Sequence, residues 1–98
     1  MSDAPSRIES APGVDAGLRA LFRFCCEDDC AHLARALARR DRAAAIHHSH
    51  RLYGSALVMR ADALASQAGE LERELRLELE WAPAMERLQR LSDSIRAF

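Results

Sequence analysis

The side chains with most chemistry to offer in this 98-residue chain are the imidazoles of His47, His48 and His50. They open the stretch HHSHRLYGSALVMRADALASQAGELE, residues 47–72. An imidazole is a nucleophile, a proton carrier or a metal ligand near neutral pH. Ser49, Leu52, Ala56 and Met59 recur at three- and four-residue steps, the period of a buried helix face, and Ile46 and Tyr53 widen that stripe. His50 lies off it, on a face that runs His47, His50, Gly54, Leu57. A mid-helix glycine costs about 1 kcal/mol relative to alanine, so Gly54 marks a place where something must approach closely. His50 is therefore expected to point outward, bordered by bare backbone.

A carboxylate can be placed beside it by counting. If two antiparallel helices turn over near Arg60 and Ala61, a residue ten before the turn lies level with one about eleven after it, which brings Leu71 and Glu72 to His50. A glutamate there would accept a hydrogen bond from Nδ1–H and fix the tautomer that leaves the Nε2 lone pair free.

The spacing His50, Leu52, Gly54, Ser55, Ala56, followed by Ala61 and Leu64, resembles the histidine-containing phosphotransfer (HPt) domain family. The resemblance reaches back through Leu33, Ala36, Leu37 and Asp41 and forward to Leu71 and Glu72. It implies a four-helix bundle in which His50 takes a phosphoryl group from the aspartate of a receiver domain and passes it to another, in a two-component phosphorelay. It also implies a glutamine or glutamate at the place of Glu72, a magnesium ion supplied by the receiver, and no cofactor of the chain's own. Two positions depart from the family pattern: its frequent lysine three residues after the histidine is Tyr53, and its frequent glycine ten residues after it is Arg60. Arg51, Arg60 and Arg76 are the candidates to screen phosphoryl charge in the lysine's stead, with at most one expected to do so. Arg51, Tyr53, Leu57 and His47 are the expected partner-facing residues. Ser55 either meets a phosphoryl oxygen or bonds back to the preceding turn, and the second is favoured. Tyr53 is expected to pack with its tip in water.

Composition fits this reading. The chain holds one modest core, and 49% hydrophobic content with 5% aromatic means leucine and alanine, suited to close helices. A net charge of −1 carries no footprint for nucleic acid. All fourteen basic residues are arginine, so any phosphate contact from a cation uses a guanidinium fork. No apolar run is long enough to span a bilayer and no signal peptide is recognisable, so a cytoplasmic location is expected; the chain is separately expected to act as a monomer. Cys25, Cys26 and Cys30 are odd in number and form no paired framework; Cys26 and Cys30 fall at core phases, and Cys25 is expected to be partly exposed.

Taken in order, residues 1–13 read as a disordered leader and 14–98 as an all-α, antiparallel, up-down-up-down bundle. Asp15 can cap a first helix with the stripe Leu18, Phe22, Cys26, Cys30, Leu33, Leu37, either unbroken or restarted at Asp28 or Asp29. A second helix runs from Asp41 or Arg42 to about Val58. A third follows Ala61, Leu64, Ala68, Leu71, Leu75, Leu79, its charge-rich stretch 70–80 lying mostly in solvent. Pro83 opens a fourth with Ala84, Leu88, Leu91, Ile95 and Phe98, and Trp81 covers the bundle end. The bundle is expected to be a phosphocarrier, not a turnover enzyme. The rival readings are a receiver-docking module that carries no phosphate and, less favoured, a metal-binding bundle using His47 and His50.

Overall fold

The computed structural model describes residues 12–77 and 80–98, with side chains from residue 16 onward. Four helices follow one another: α1 Pro12–Ala38, α2 Arg42–Val58, α3 Asp62–Arg76 and α4 Trp81–Ala97. Each packs against the helix before and after it, and α4 returns to α1, which closes the up-down-up-down ring. Among the described residues no helix is long and apolar enough to cross a membrane.

α1 is a single helix of 27 residues, unbroken through Glu27, Asp28 and Asp29, so neither aspartate caps a new segment. It starts at Pro12, which places Pro12 and Gly13 in the helix and Asp15 inside its first turns. Residues 1–11 of the expected leader lie outside the described residues. The stripe from Phe22 to Leu37 is buried as its spacing predicts, but Leu18 is 51% exposed. The ring of Phe98 covers Phe22 edge-on at 5.1 Å. Leu18 stands a turn farther out, at a shallow hollow with Arg19, Met59, Arg60 and Phe98, and is not enclosed.

The two turns that bracket α2 share one geometry. Asp41 N–H donates to Ala36 O at 2.8 Å, and Ala61 N–H to Ala56 O at 2.9 Å. Arg40 and Arg60 adopt the left-handed conformation, with φ of 58° and 56°. This is the Schellman ending that glycine usually supplies, which accounts for arginine at 60 as a strained occupant of a glycine position. Asp41 then caps α2, its Oδ1 accepting from Ala44 N–H at 3.1 Å, so the helix starts at Arg42 as expected.

The core is a column of Leu33, Leu37, Leu52, Leu71, Leu75, Leu91 and Ile95, all fully enclosed. Burying each such side chain stabilises the fold by about 1.5–3 kcal/mol. Ser49 is buried among them, and its hydroxyl donates to Ile46 O at 3.0 Å, so the one hydroxyl on the stripe is satisfied within its own helix. At one bundle end the guanidinium groups of Arg40 and Arg42 lie over the Trp81 ring, 5.4 and 4.6 Å from its centre. Arg42 also donates to Leu75 O at 2.9 Å. Leu79, expected on the α3 stripe, lies outside the described residues. The charged stretch of α3 is tied to α4 as well as solvated, because Arg87 pairs with both Glu74 and Glu70.

Candidate functional site

The middle of α2 offers its imidazoles to two different neighbours. His50 faces outward with its side chain 63% exposed, while Glu72, rising from α3, is only 14% exposed. His50 Nδ1 lies 3.1 Å from Glu72 Oε1. An ionised carboxylate can only accept, so Nδ1–H donates to Glu72 and Nε2 is the ring nitrogen left facing solvent. The other oxygen of Glu72 accepts from Arg76, one turn along α3, at 3.0 Å from Nε and 2.9 Å from an Nη. Burial alone would push the Glu72 carboxyl up, but the hydrogen bonds from His50 and Arg76, with their charges, hold it below the ordinary glutamate value. Glu72 is thus a fixed, ionised acceptor whose orientation Arg76 sets. Leu71, its chain neighbour, points into the core.

Gly54 borders His50 one turn along the same face. A methyl group added there would meet no atom within 4 Å beyond its own chain neighbours and the backbone of its own turn of helix, so the protein's tertiary packing does not demand glycine at this position. Leu57 and His47 share the exposed face, with Leu57 half exposed. Tyr53 leans the other way, onto α3. Its ring lies 3.1–3.2 Å from where a side chain on Gly69 would begin, so the bare backbone of Gly69 forms the slot that holds it. The ring is 6.4 Å from that of His50, and it is partly buried against the core as expected of a packing residue.

Three of the residues singled out from the sequence lie away from His50. Ser55 lines an apolar hollow between α1 and α2, beside Leu18, Leu21, Cys25 and Val58. It is 500° of helical rotation from His50, which places it on the α1 flank. Arg60 sits in the turn after α2, ten residues and about 15 Å along the helix. Arg51 turns to α1, where its Nε is 3.2 Å from Asp29 Oδ1. Of the three arginines, Arg76 alone stands at the His50–Glu72 pair.

Asp29 was not visible as a site residue in the sequence. It is 5% exposed, and its Oδ1 faces both Arg51 and His48, whose Nδ1 lies 3.6 Å away without a hydrogen-bond partner. His48 stacks on His32 of α1, ring centres 5.0 Å apart and nearly parallel. Burial pushes the His48 imidazole below the ordinary histidine value, and His47 and His32 add to that, while Asp29 acts in the opposite sense. A signal was present: Cys26, Asp29 and Leu33 follow three- and four-residue steps, which puts an acid on the buried stripe.

The metal reading has no support in this geometry. Among the described residues no three histidine, cysteine or carboxylate side chains are placed to hold a metal ion. The His47 ring stands edge-on to His48 at 5.0 Å. Cys26 and Cys30 are buried, and burial, the first cause in each case, pushes their thiols up to about 12 and about 11; Cys25 is exposed. The two buried thiols are therefore neutral core groups.

The family model for the Hpt domain matches residues 17–98. Searches of curated proteins and of solved structures gave no match. The matched span takes in all of α2, α3 and α4 and most of α1, and so includes the two helices, α2 and α3, that carry the histidine–carboxylate pair. With an exposed imidazole held by a mostly buried glutamate on such a bundle, the chain belongs to the Hpt domain family, whose members carry phosphoryl groups in two-component phosphorelays.

Proposed function

We propose that His50 is the phosphoacceptor of this domain, and that it takes its phosphoryl group from the aspartate of a receiver domain and delivers it to another. The observation that carries this reading is the His50–Glu72 pair, a mostly exposed ring whose Nδ1 is committed to a mostly buried, ionised carboxylate. Nε2 attacks phosphorus in line; the N–P bond forms as the P–O bond to the aspartyl carboxylate breaks, and that carboxylate leaves with the electron pair. The ring keeps its Nδ1 proton and becomes cationic, and Glu72 stabilises the positive charge as it develops. The return step reverses these changes, so the chain is regenerated and acts as a carrier.

The receiver contributes the divalent ion that neutralises the moving phosphoryl group. This chain contributes a fixed nucleophile and an open approach: the space beside Gly54 admits the receiver's loops to Nε2. Arg76 is the guanidinium in place to meet a phosphoryl oxygen in the stead of the family's lysine, because Arg51 is turned to Asp29 and Tyr53 to Gly69. Leu57 and His47 flank the approach, Arg51 and Tyr53 form its two edges, and a monomer in the cytoplasm is the form in which a diffusible receiver would meet it. Ser55, on the α1 flank, has no part in the step.

The test is a transfer assay with phosphorylated receiver domains in magnesium, scored for acid-labile, base-stable label on the native chain and on His50→Gln. Label on the first and none on the second is the expected result. If a receiver binds but leaves the native chain unlabelled, the domain docks without carrying phosphate.

A further inference from the structure

We propose that Asp29 is a positioning residue for the phosphoacceptor, holding from α1 the turn of α2 that Glu72 engages from α3. Its carboxylate is 5% exposed, and it faces two residues that bracket His50 in the chain, Arg51 at 3.2 Å and His48 at 3.6 Å. α2 is therefore gripped on both flanks within one turn, by a buried carboxylate behind His50 and by Glu72 at the ring itself. This builds on the assignment of His50 as phosphoacceptor.

The geometry needs such a grip. A helix side chain stands about 6 Å from the axis, so a rotation of α2 by about 20° would carry the His50 ring about 2 Å sideways. That displacement breaks a 3.1 Å hydrogen bond to Glu72 and releases the Nδ1 proton from its fixed place. The enclosed side of α2 is built from Ala45, Ser49, Leu52 and Ala56, three of them small, with Tyr53 seated on α3, so on the α1 flank the polar contacts of Asp29 add restraint that large core side chains do not supply. The pair with Arg51 joins an enclosed carboxylate to a guanidinium that is 60% exposed, and such a pair is a weak source of stability; what it supplies here is one defined arrangement. Other charged or titratable groups crowd the same place: His32 stacks on His48 and is itself held by Asp28 at 3.5 Å and Arg35 at 2.9 Å. The α1 flank is thus a connected polar patch whose one buried anion is Asp29.

The experiment compares the native chain with Asp29→Asn and with Arg51→Gln, the latter altering a mostly exposed side chain. Ring ¹⁵N shifts of His50 at pH 8 report which nitrogen carries the proton, with no phosphate involved. We expect the native ring to be protonated at Nδ1, both variants to shift population towards Nε2, and transfer from a phosphorylated receiver to slow about tenfold in Asp29→Asn, with the melting temperature unchanged or raised. An unchanged His50 tautomer in Arg51→Gln together with either an unchanged tautomer or a failure to fold in Asp29→Asn overturns the proposal and leaves Asp29 a purely structural group. Should the tautomer depend on Asp29 while no receiver labels the native chain, the phosphocarrier reading fails and the positioning role stands.

Discussion

Two histidine–carboxylate pairs lie two residues apart on α2, and they have opposite fates. His50 and Glu72 meet at 3.1 Å, with the ring 63% and the carboxylate 14% exposed. His48 and Asp29 stand at 3.6 Å, with 21% and 7%. In the first pair the hydrogen bond is made and the far nitrogen reaches solvent. In the second the ring is stacked on His32 and its Nδ1 is left unpaired. The chemical groups are nearly the same, so composition does not separate a nucleophile from an anchor. Both carboxylates face Nδ1; what separates the pairs is whether that hydrogen bond is made and how much of the ring the neighbouring helices leave to water.

The largest effect should come from exchanging the roles of the two rings. His50→Gln is expected to abolish phosphoryl transfer, whereas His48→Gln should retain labelling on His50; label surviving in the first or vanishing in the second, with both variants folded, would break the comparison. Next in size is Glu72→Ala, which removes the acceptor while leaving the nucleophile. Loss of such an orienting partner should slow transfer about ten- to a hundredfold, measured as the initial rate from a phosphorylated receiver. A rate within twofold of the native chain would mean that the hydrogen bond is dispensable.

The pairs should also differ in how acid acts on them. The His48 value is lowered in the folded chain, so below about pH 6.5 the unfolded chain takes up a proton that the native ring resists. Stability should therefore fall as pH drops through the unfolded value, and stop falling below the depressed folded one. The Glu72 value is also lowered, so its contribution is present above the unfolded glutamate value and is lost as pH falls through the folded one. Thermal melts from pH 8 to pH 3 should show two separate declines, with the upper one missing in His48→Gln and the lower one reduced in Glu72→Gln. The smallest change leaves both pairs intact: Arg60→Gly relieves a left-handed arginine at φ 56° and should stabilise the bundle by about 1 kcal/mol, raising the melting temperature by about 4–8 °C without altering transfer.

The reach of sequence reasoning is clearest in α2. Asp41 and the turn at Arg60 bound it, and counting across that turn brings Glu72 to His50, as the structure has it. Cys26 and Cys30 were placed in the core by phase alone. In a cluster of three acids Asp29 reads as a cap, although its step from Cys26 marks it as buried. The phase of Leu18 predicts a core position, yet the residue is half exposed, because phase says nothing of where the neighbouring helices stop. Arg51 follows His50 directly in the chain, yet successive helical positions diverge by 100°, and Asp29 of α1 holds it.

By itself, then, the sequence determined the helices, their order, the outward face of His50 and the level at which Glu72 meets it, because these follow from a local period and from turns a few residues long. The tertiary structure decided which arginine serves which carboxylate, which histidine keeps a nitrogen in water, and that Tyr53 lies in the slot of Gly69. Those outcomes depend on how α1 and α3 divide the surface of α2 between them, and exposure is a property of that packing and not of any residue's own spacing.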